Sequence, residues 1–296
     1  MPTARNLCLP FKPLRGREAS HHGKTQVCFL FLVADGPQPL HTLSQRYLSS
    51  SDPAPELMHR EYHRWWSPSL HRDMELLTYG HGGAKVIVYP TSRGRFHEWE
   101  DHGMIDALRD PIENGWFQLY CVDSVDRESW YASKSHPGAR VWRQVQYDNY
   151  VYHEVLPLAD RRNQHPYMIA TGASFGAFHA VSFGMRHPDR VKRILAMSGL
   201  CDIKMFADGF YNEHLYYLNP VDFISGESDP HRIHLLREQN VILAVGKDDR
   251  LIAQNRELSG KLWNKGIGNA MREWDGFAHD WSVWHKMVTM YLGGHD

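Results

Sequence analysis

Hydrophobic and polar positions along the chain fall into two regimes that meet near Met58. Up to Glu56 no helical or strand period is sustained, and Pro, Gly and Ser recur, as in Ser49-Ser50-Ser51-Asp52-Pro53. Residues 1–57 are therefore expected to be a disordered tail or a non-native N-terminal extension, with Met58 as the natural initiator in the second case. From residue 58 onward short β-like runs alternate with longer helical ones, which predicts an α/β domain over 58–296 with a mostly parallel sheet covered by helices.

The first predicted strand covers 70–79. After the turn Gly80-His81-Gly82-Gly83 comes a β-branched run at 85–89, and the two are expected to pair as a hairpin. Strands follow at 117–122 and 167–171, with a long helix over 138–158 between them whose apolar positions include Val141, Val145, Val151 and Val155. A helix at 177–186, strands at 191–197 and 241–245, a helix at 253–263 closed by Gly266, a strand at 270–274 and a helix at 281–291 complete the pattern. Between 198 and 235 the rhythm breaks into an aromatic-rich stretch with Phe206, Phe210, Tyr211, Tyr216, Tyr217 and Phe223. A connection of that length is expected to cover a functional site or to pack as short helices on the sheet edge.

Charge and composition exclude more than they select. With 33 basic and 34 acidic side chains the net charge is -1, so there is no broad positive field for nucleic acid or an anionic membrane. Cys8, Cys28, Cys121 and Cys201 show no paired spacing, which fits reduced thiols in a cytoplasmic protein better than a disulfide framework. The apolar run 27–34 is too short to span a membrane, lies unusually deep for a secretory leader and is followed by no clean small-x-small cleavage site. His59 and His63, with Glu61 between them, could share a helix face, but no third ligand follows at metal spacing; no metal and no cofactor are expected. Trp65, Trp66, Trp281 and Trp284 are expected in the core.

The chemistry concentrates at Gly172-Ala173-Ser174-Phe175-Gly176, between a predicted strand and a predicted helix. That setting reads as a nucleophile elbow, in which a sharp turn exposes the hydroxyl of Ser174 and the flanking glycines avoid collision with neighbouring backbone. A serine hydroxyl needs a base within hydrogen-bond reach and a carboxylate to orient that base. With the chain order serine, acid, histidine, the acid is expected after the 241–245 strand, where Asp249 is preferred and Asp248 is the alternate; the other reading, that these acids cap the next helix, is compatible with it. His279, after the last strand, is the candidate base. The backbone N–H of Phe175 is the first expected donor to an oxyanion, and Thr91 or Ser92 the second, since Pro90 has no amide hydrogen. Arg93 and Arg95 are either solvated or bind an anionic part of a substrate.

Taken in order, Gly172 to Ala177, Gly246-Lys247-Asp248-Asp249 and His279-Asp280-Trp281-Ser282-Val283-Trp284 resemble the esterase branch of the α/β-hydrolases, the esterase D-like, feruloyl-esterase-like and enterochelin-esterase-like proteins. The likeness runs from about Glu61 to Leu292. It implies an α/β-hydrolase fold with the aromatic insertion at about 200–236 near the site, and a triad of Ser174, Asp249 and His279, because the acid lies in a Gly-x-x-Asp segment and the base in a His-Asp-Trp segment. Pro90-Thr91-Ser92 replaces the His-Gly pair common after the early strand of such proteins, so the second oxyanion donor stays open. The expected activity is hydrolysis of a small carboxylic ester through an acyl-enzyme, with short or aromatic acyl groups preferred. The alternatives are an acyltransferase using the same residues and a noncatalytic binding protein of the same fold; self-association is open.

Overall fold

The computed structural model describes residues 58–293, and the expectations for residues 1–57 lie outside the described residues. Eight strands, β1 (Arg60–Ser67), β2 (Arg72–Tyr79), β3 (Ala84–Tyr89), β4 (Phe117–Val122), β5 (Met168–Ala173), β6 (Arg193–Met197), β7 (Asn240–Gly246) and β8 (Asn269–Trp274), form one sheet in the order β1-β2-β4-β3-β5-β6-β7-β8. β1 and β2 are antiparallel to each other, β2 is antiparallel to β4, and every other neighbouring pair is parallel. Every residue of β3, β4 and β5 is buried, which explains their unbroken apolar runs: helices cover both faces of a parallel sheet.

The hairpin expected between the first two predicted strands does not form, because β4 lies between β2 and β3. The intervening turn packs against the residues that enter β4. A Cβ on Gly83 (φ +77°) would fall 2.2 Å from the carbonyl of Trp116, and one on Gly80 (φ +89°) 2.7 Å from the Phe117 carbonyl oxygen. Ala84 N–H then donates to Trp116 O at 2.8 Å, so the chain leaving the turn is captured by β4 rather than by β2.

β1 was not anticipated, and it corrects the reading of His59 and His63. They share a face with Glu61 because alternate residues of an extended chain point the same way, not because they are one helical turn apart. Both imidazoles approach the Glu61 carboxylate, at 3.1 and 3.4 Å. The same alternation puts Trp66 on the open face with 61% exposure, against the expectation of a core position, while Trp65 is half-buried and Trp284 buried.

Short helices of four or five residues at Glu98–Asp101, Met104–Ala107 and Arg109–Glu113 join β3 to β4. The predicted long helix is present as Pro137–Tyr150 and Leu156–Arg162, joined by a π-helical turn at Val151–Val155. Pro157 lacks the N–H that would continue the regular ladder there, and the wider turn absorbs the interruption. The insertion after β6 is ordered as a 3₁₀ turn and three short helices, Glu213–Leu218, Pro220–Gly226 and Pro230–Arg237. Its Ile203, Ala207, Leu215 and Leu218 pack in one cluster with Phe175 and Phe178 at the start of the helix Phe175–Arg186, so the cover lies directly beside the predicted elbow. No helix of the described residues is long and apolar enough to cross a membrane.

Candidate active site

At the carboxyl end of β5 the backbone turns through Ser174 at φ 54°, ψ -116° and enters the helix Phe175–Arg186. Such a conformation is costly for a residue with a side chain and persists only where its surroundings hold it. Here Ser174 N–H donates to Met197 O of β6 at 2.8 Å, and the two glycines let three backbone segments meet. A Cβ on Gly172 would lie 2.4 Å from the Gly176 carbonyl carbon. One on Gly176 would lie 2.4 Å from Tyr89 O and 2.6 Å from Pro90 O. The glycine spacing therefore serves the contact between elbow, helix and the loop after β3.

Ser174, Asp249 and His279 come from loops after β5, β7 and β8 and meet at one edge of the sheet. His279 Nε2 is 3.0 Å from Ser174 Oγ, and His279 Nδ1 is 2.7 Å from Asp249 Oδ2. The Asp249 side chain is fully buried; its other oxygen accepts the Leu251 N–H at 2.9 Å, so it both caps the following turn and faces the imidazole. Asp248 is exposed and makes its contact through its backbone N–H, to Gly276 O at 3.0 Å. A carboxylate on Nδ1 favours the tautomer whose Nε2 can accept a proton, which is what a base for the serine hydroxyl requires.

The histidine loop is held from beneath. Ser198 Oγ donates to Ala278 O at 2.8 Å and accepts from Trp284 Nε1 at 3.0 Å, while the Trp284 ring packs edge-on to His279 at 5.3 Å. Phe277, 54% exposed, stacks on the outer side of the imidazole at 5.6 Å. A Cβ on Gly246 would lie 2.2 Å from Phe277 O, so the end of β7 must be glycine for this loop to close over it.

The loop after β3 supplies the remaining candidates and corrects one of them. Thr91 N–H donates to Glu98 Oε2 at 2.6 Å and the Thr91 hydroxyl to Glu98 Oε1 at 2.8 Å, so its amide is turned toward the protein and is not the second oxyanion donor. Burial pushes the Glu98 carboxyl above its ordinary pKa, opposed by these two hydrogen bonds. Ser92 N–H has no acceptor among the described residues, and Phe175 N–H is the first of its helix, where no intrahelical acceptor exists. Ser92 Oγ accepts from the Tyr131 hydroxyl at 2.8 Å, and the next amide, Arg93 N–H, donates to Asp126 Oδ2 at 2.9 Å. Asp126 is itself buried against His179 Nε2 at 3.0 Å, whose Nδ1 lies 3.2 Å from Gln144 Nε2.

Arg95 pairs with Asp123 and Glu75, which removes it from the anion-binding pair suggested by sequence, whereas Arg93 lies over the Tyr131 ring at 4.9 Å. Tyr131, Phe175 and Phe206 form a triangle of rings 5.2 to 5.3 Å apart beside the serine. Sequence reasoning missed Glu98, Asp126, His179 and Ser198. Each acts on a backbone atom of a site loop or on a partner tens of residues away, and no local pattern marks such roles.

A mostly parallel sheet with a serine elbow at the end of its central strand, and acid and histidine loops following later strands, defines an α/β-hydrolase fold. The chain belongs to the family described as "Putative esterase", whose model matches residues 98–293. An acetyl esterase from Caldicellulosiruptor saccharolyticus is 26% identical over 153 residues, 46% of this chain and 55% of that protein, so the match spans little more than half the relative's length. Among solved structures, a ferulic acid esterase superposes with a TM-score of 0.64 at 20% identity, covering 79% of this chain and 96% of the other. An S-formylglutathione hydrolase from Agrobacterium tumefaciens also gives 0.64, at 15% identity and 80% and 94% coverage. At these identities the structural likeness establishes the shared fold.

Proposed function

We propose that the protein is a serine carboxylic-ester hydrolase. Ser174 Oγ attacks the ester carbonyl carbon as its proton passes to His279 Nε2, and Asp249 holds the imidazolium that forms. The N–H groups of Phe175 and Ser92 receive the oxyanion. Collapse of the tetrahedral intermediate expels the alcohol, which takes the proton from His279, and leaves an acyl group on Ser174. Water, deprotonated by the same imidazole, then releases the acid and restores the hydroxyl.

The observation that carries this reading is the unbroken chain from Ser174 Oγ through both ring nitrogens of His279, 3.0 and 2.7 Å, to a buried carboxylate. Membership of the esterase family and the names of the relatives support ester hydrolysis as the reaction class. The test is labelling with a fluorophosphonate probe alongside hydrolysis of p-nitrophenyl acetate. Both are expected in the native protein and both are expected to vanish in Ser174→Ala. A folded protein that several such probes fail to label would instead be a binding protein of this fold.

A further inference from the structure

Arginines in the described part of the chain are mostly engaged. Arg60, Arg64, Arg72, Arg95, Arg143 and Arg190, for example, each hold a carboxylate. Arg93 and Arg250 hold none among the described residues; Arg127, Arg161, Arg193, Arg237 and Arg272 hold none either, but only Arg93 and Arg250 are next in sequence to Ser92 and Asp249. Their positions are specific: Arg93 follows Ser92, whose N–H has no acceptor among the described residues, and Arg250 follows Asp249, which contacts the histidine. The two loops carrying them flank the serine.

Tyr131 connects the pair. The Arg93 guanidinium sits 4.9 Å from its ring centre, and its hydroxyl donates to Ser92 Oγ at 2.8 Å. Arg250 lies near enough to oppose, together with Arg93, the rise that burial imposes on the phenol's pKa. Arg93 is also held at φ +59°, a conformation rare for a residue with a Cβ, and its own N–H is anchored on the buried Asp126 at 2.9 Å. The backbone strain aims this side chain, and Asp126 fixes the backbone that aims it.

We propose that Arg93 and Arg250 form a recognition site for a negatively charged group, so that the preferred substrate is an ester bearing a carboxylate within reach of Tyr131. Guanidiniums that hold no carboxylate, on the loops after β3 and β7, offer planar donor forks to an incoming one. The aromatic rings of Tyr131, Phe175 and Phe206 line the same side of the serine and suit the apolar body of such an ester. This inference rests on Ser174 being the nucleophile, and its test separates the two.

Two ester pairs serve as probes. The acyl-side pair is the mono-p-nitrophenyl ester of terephthalic acid and the methyl ester of its free carboxyl. The alcohol-side pair is p-acetoxybenzoate and its methyl ester. At low ionic strength the carboxylate member of at least one pair is expected to show kcat/KM about tenfold above its neutral partner, the size of one charge-assisted contact. The pair that shows it assigns the charge to acid or alcohol. The ratio should fall toward one in Arg93→Gln/Arg250→Gln and in about 1 M KCl, where charges are screened beyond about 3 Å. Where turnover is slow, protection of Ser174 from fluorophosphonate labelling ranks the same compounds. Equal or better use of the neutral member in both pairs, or a preference that survives the double substitution, overturns the proposal while labelling of Ser174 leaves the hydrolase reading intact. Loss of labelling in the native protein would sink that reading instead.

Discussion

Replacing Asp249 by asparagine tests the proposed chemistry with almost no change in volume. Its carboxylate is fully buried and sits between two donors: Leu251 N–H at 2.9 Å from Oδ1, and His279 Nδ1 at 2.7 Å from Oδ2. The backbone N–H cannot change role, so the amide oxygen of an asparagine must face Leu251 and its NH₂ must face Nδ1. That NH₂ can only donate. The imidazole is then driven into the tautomer with its proton on Nε2, and the atom 3.0 Å from Ser174 Oγ becomes a donor where a base is needed. The equivalent change in a known serine-histidine-aspartate triad lowers kcat about 10⁴-fold, or about 5.5 kcal/mol of transition-state stabilisation, and a loss of that order is expected here. Asp248→Asn, altered at an exposed side chain, should change kcat less than about twofold, as for ordinary surface substitutions. The assay is steady-state hydrolysis of p-nitrophenyl acetate, with the rate of fluorophosphonate labelling and a circular-dichroism melt on each variant. An Asp249→Asn protein that melts normally yet keeps more than about a tenth of its kcat would refute this account of the acid.

Three further outcomes follow from the surroundings of the site. Ser198→Ala leaves Ala278 O and Trp284 Nε1 without their partner in a buried place, so it should cost about 1–3 kcal/mol in urea unfolding and lower kcat through a looser His279; an unchanged midpoint and rate would show that the hydroxyl is idle. Burial raises the Glu98 pKa above its ordinary 4.5, so the native state keeps a proton that the unfolded chain has lost, and this group's contribution to stability declines as pH rises from about 4.5 toward the native value. Glu98→Gln cannot ionise, so the stability advantage of the wild type over the variant should shrink with rising pH across that window and be flat above it; an advantage that widens would reverse the sign of the assignment. Burial also holds the thiols of Cys121 and Cys201 far above their ordinary pKa, so both should resist iodoacetamide in the native protein and react on denaturation, as read by peptide mass spectrometry; modification under native conditions would contradict their burial.

Legibility in the sequence tracked how local each cause was. β3 to β7 and the helix Trp281–Tyr291 lie within a few residues of expectation, because a strand buried on both faces reads as an unbroken apolar run and a terminal helix keeps its period; the half-exposed edge strand β8 is also placed to within a residue. β1 escaped notice because it is an edge strand whose open face carries Arg60, Tyr62, Arg64 and Trp66, a mixture with no apolar alternation. The helices between residues 98 and 113 are too short to show a period. For the site, chain order narrowed the candidates to Ser174, Asp249 or Asp248, and His279, whereas Glu98 and Ser198 hold backbone atoms that carry no residue signature. The Thr91 and Ser92 amides could not be told apart for the same reason: only the position of the Glu98 carboxylate decides which of them is already engaged.

Backbone strain ties these observations together. Among the described residues six that are not glycine have positive φ: His71, Arg93, Ser174, Ser198, Asp208 and Ala278. Four of the six are on loops around the site: Arg93 in the loop after β3, Ser174 in the elbow, Ser198 in the turn after β6 and Ala278 in the histidine loop. Each conformation would relax if its loop were free, and each is opposed by a specific tether: Arg93 N–H by Asp126, Ser174 N–H by Met197 O, and Ser198 N–H by Ala244 O. The Ala278 carbonyl is in turn fixed by the Ser198 hydroxyl. The tethers lead back to the strands β6 and β7 or to the buried Asp126–His179 pair, so the positions of Ser92, Ser174 and His279 are set by these anchors rather than by the loops themselves. A site held in this way keeps the distances between Ser174, His279 and Asp249 fixed while the covering insertion is free to vary.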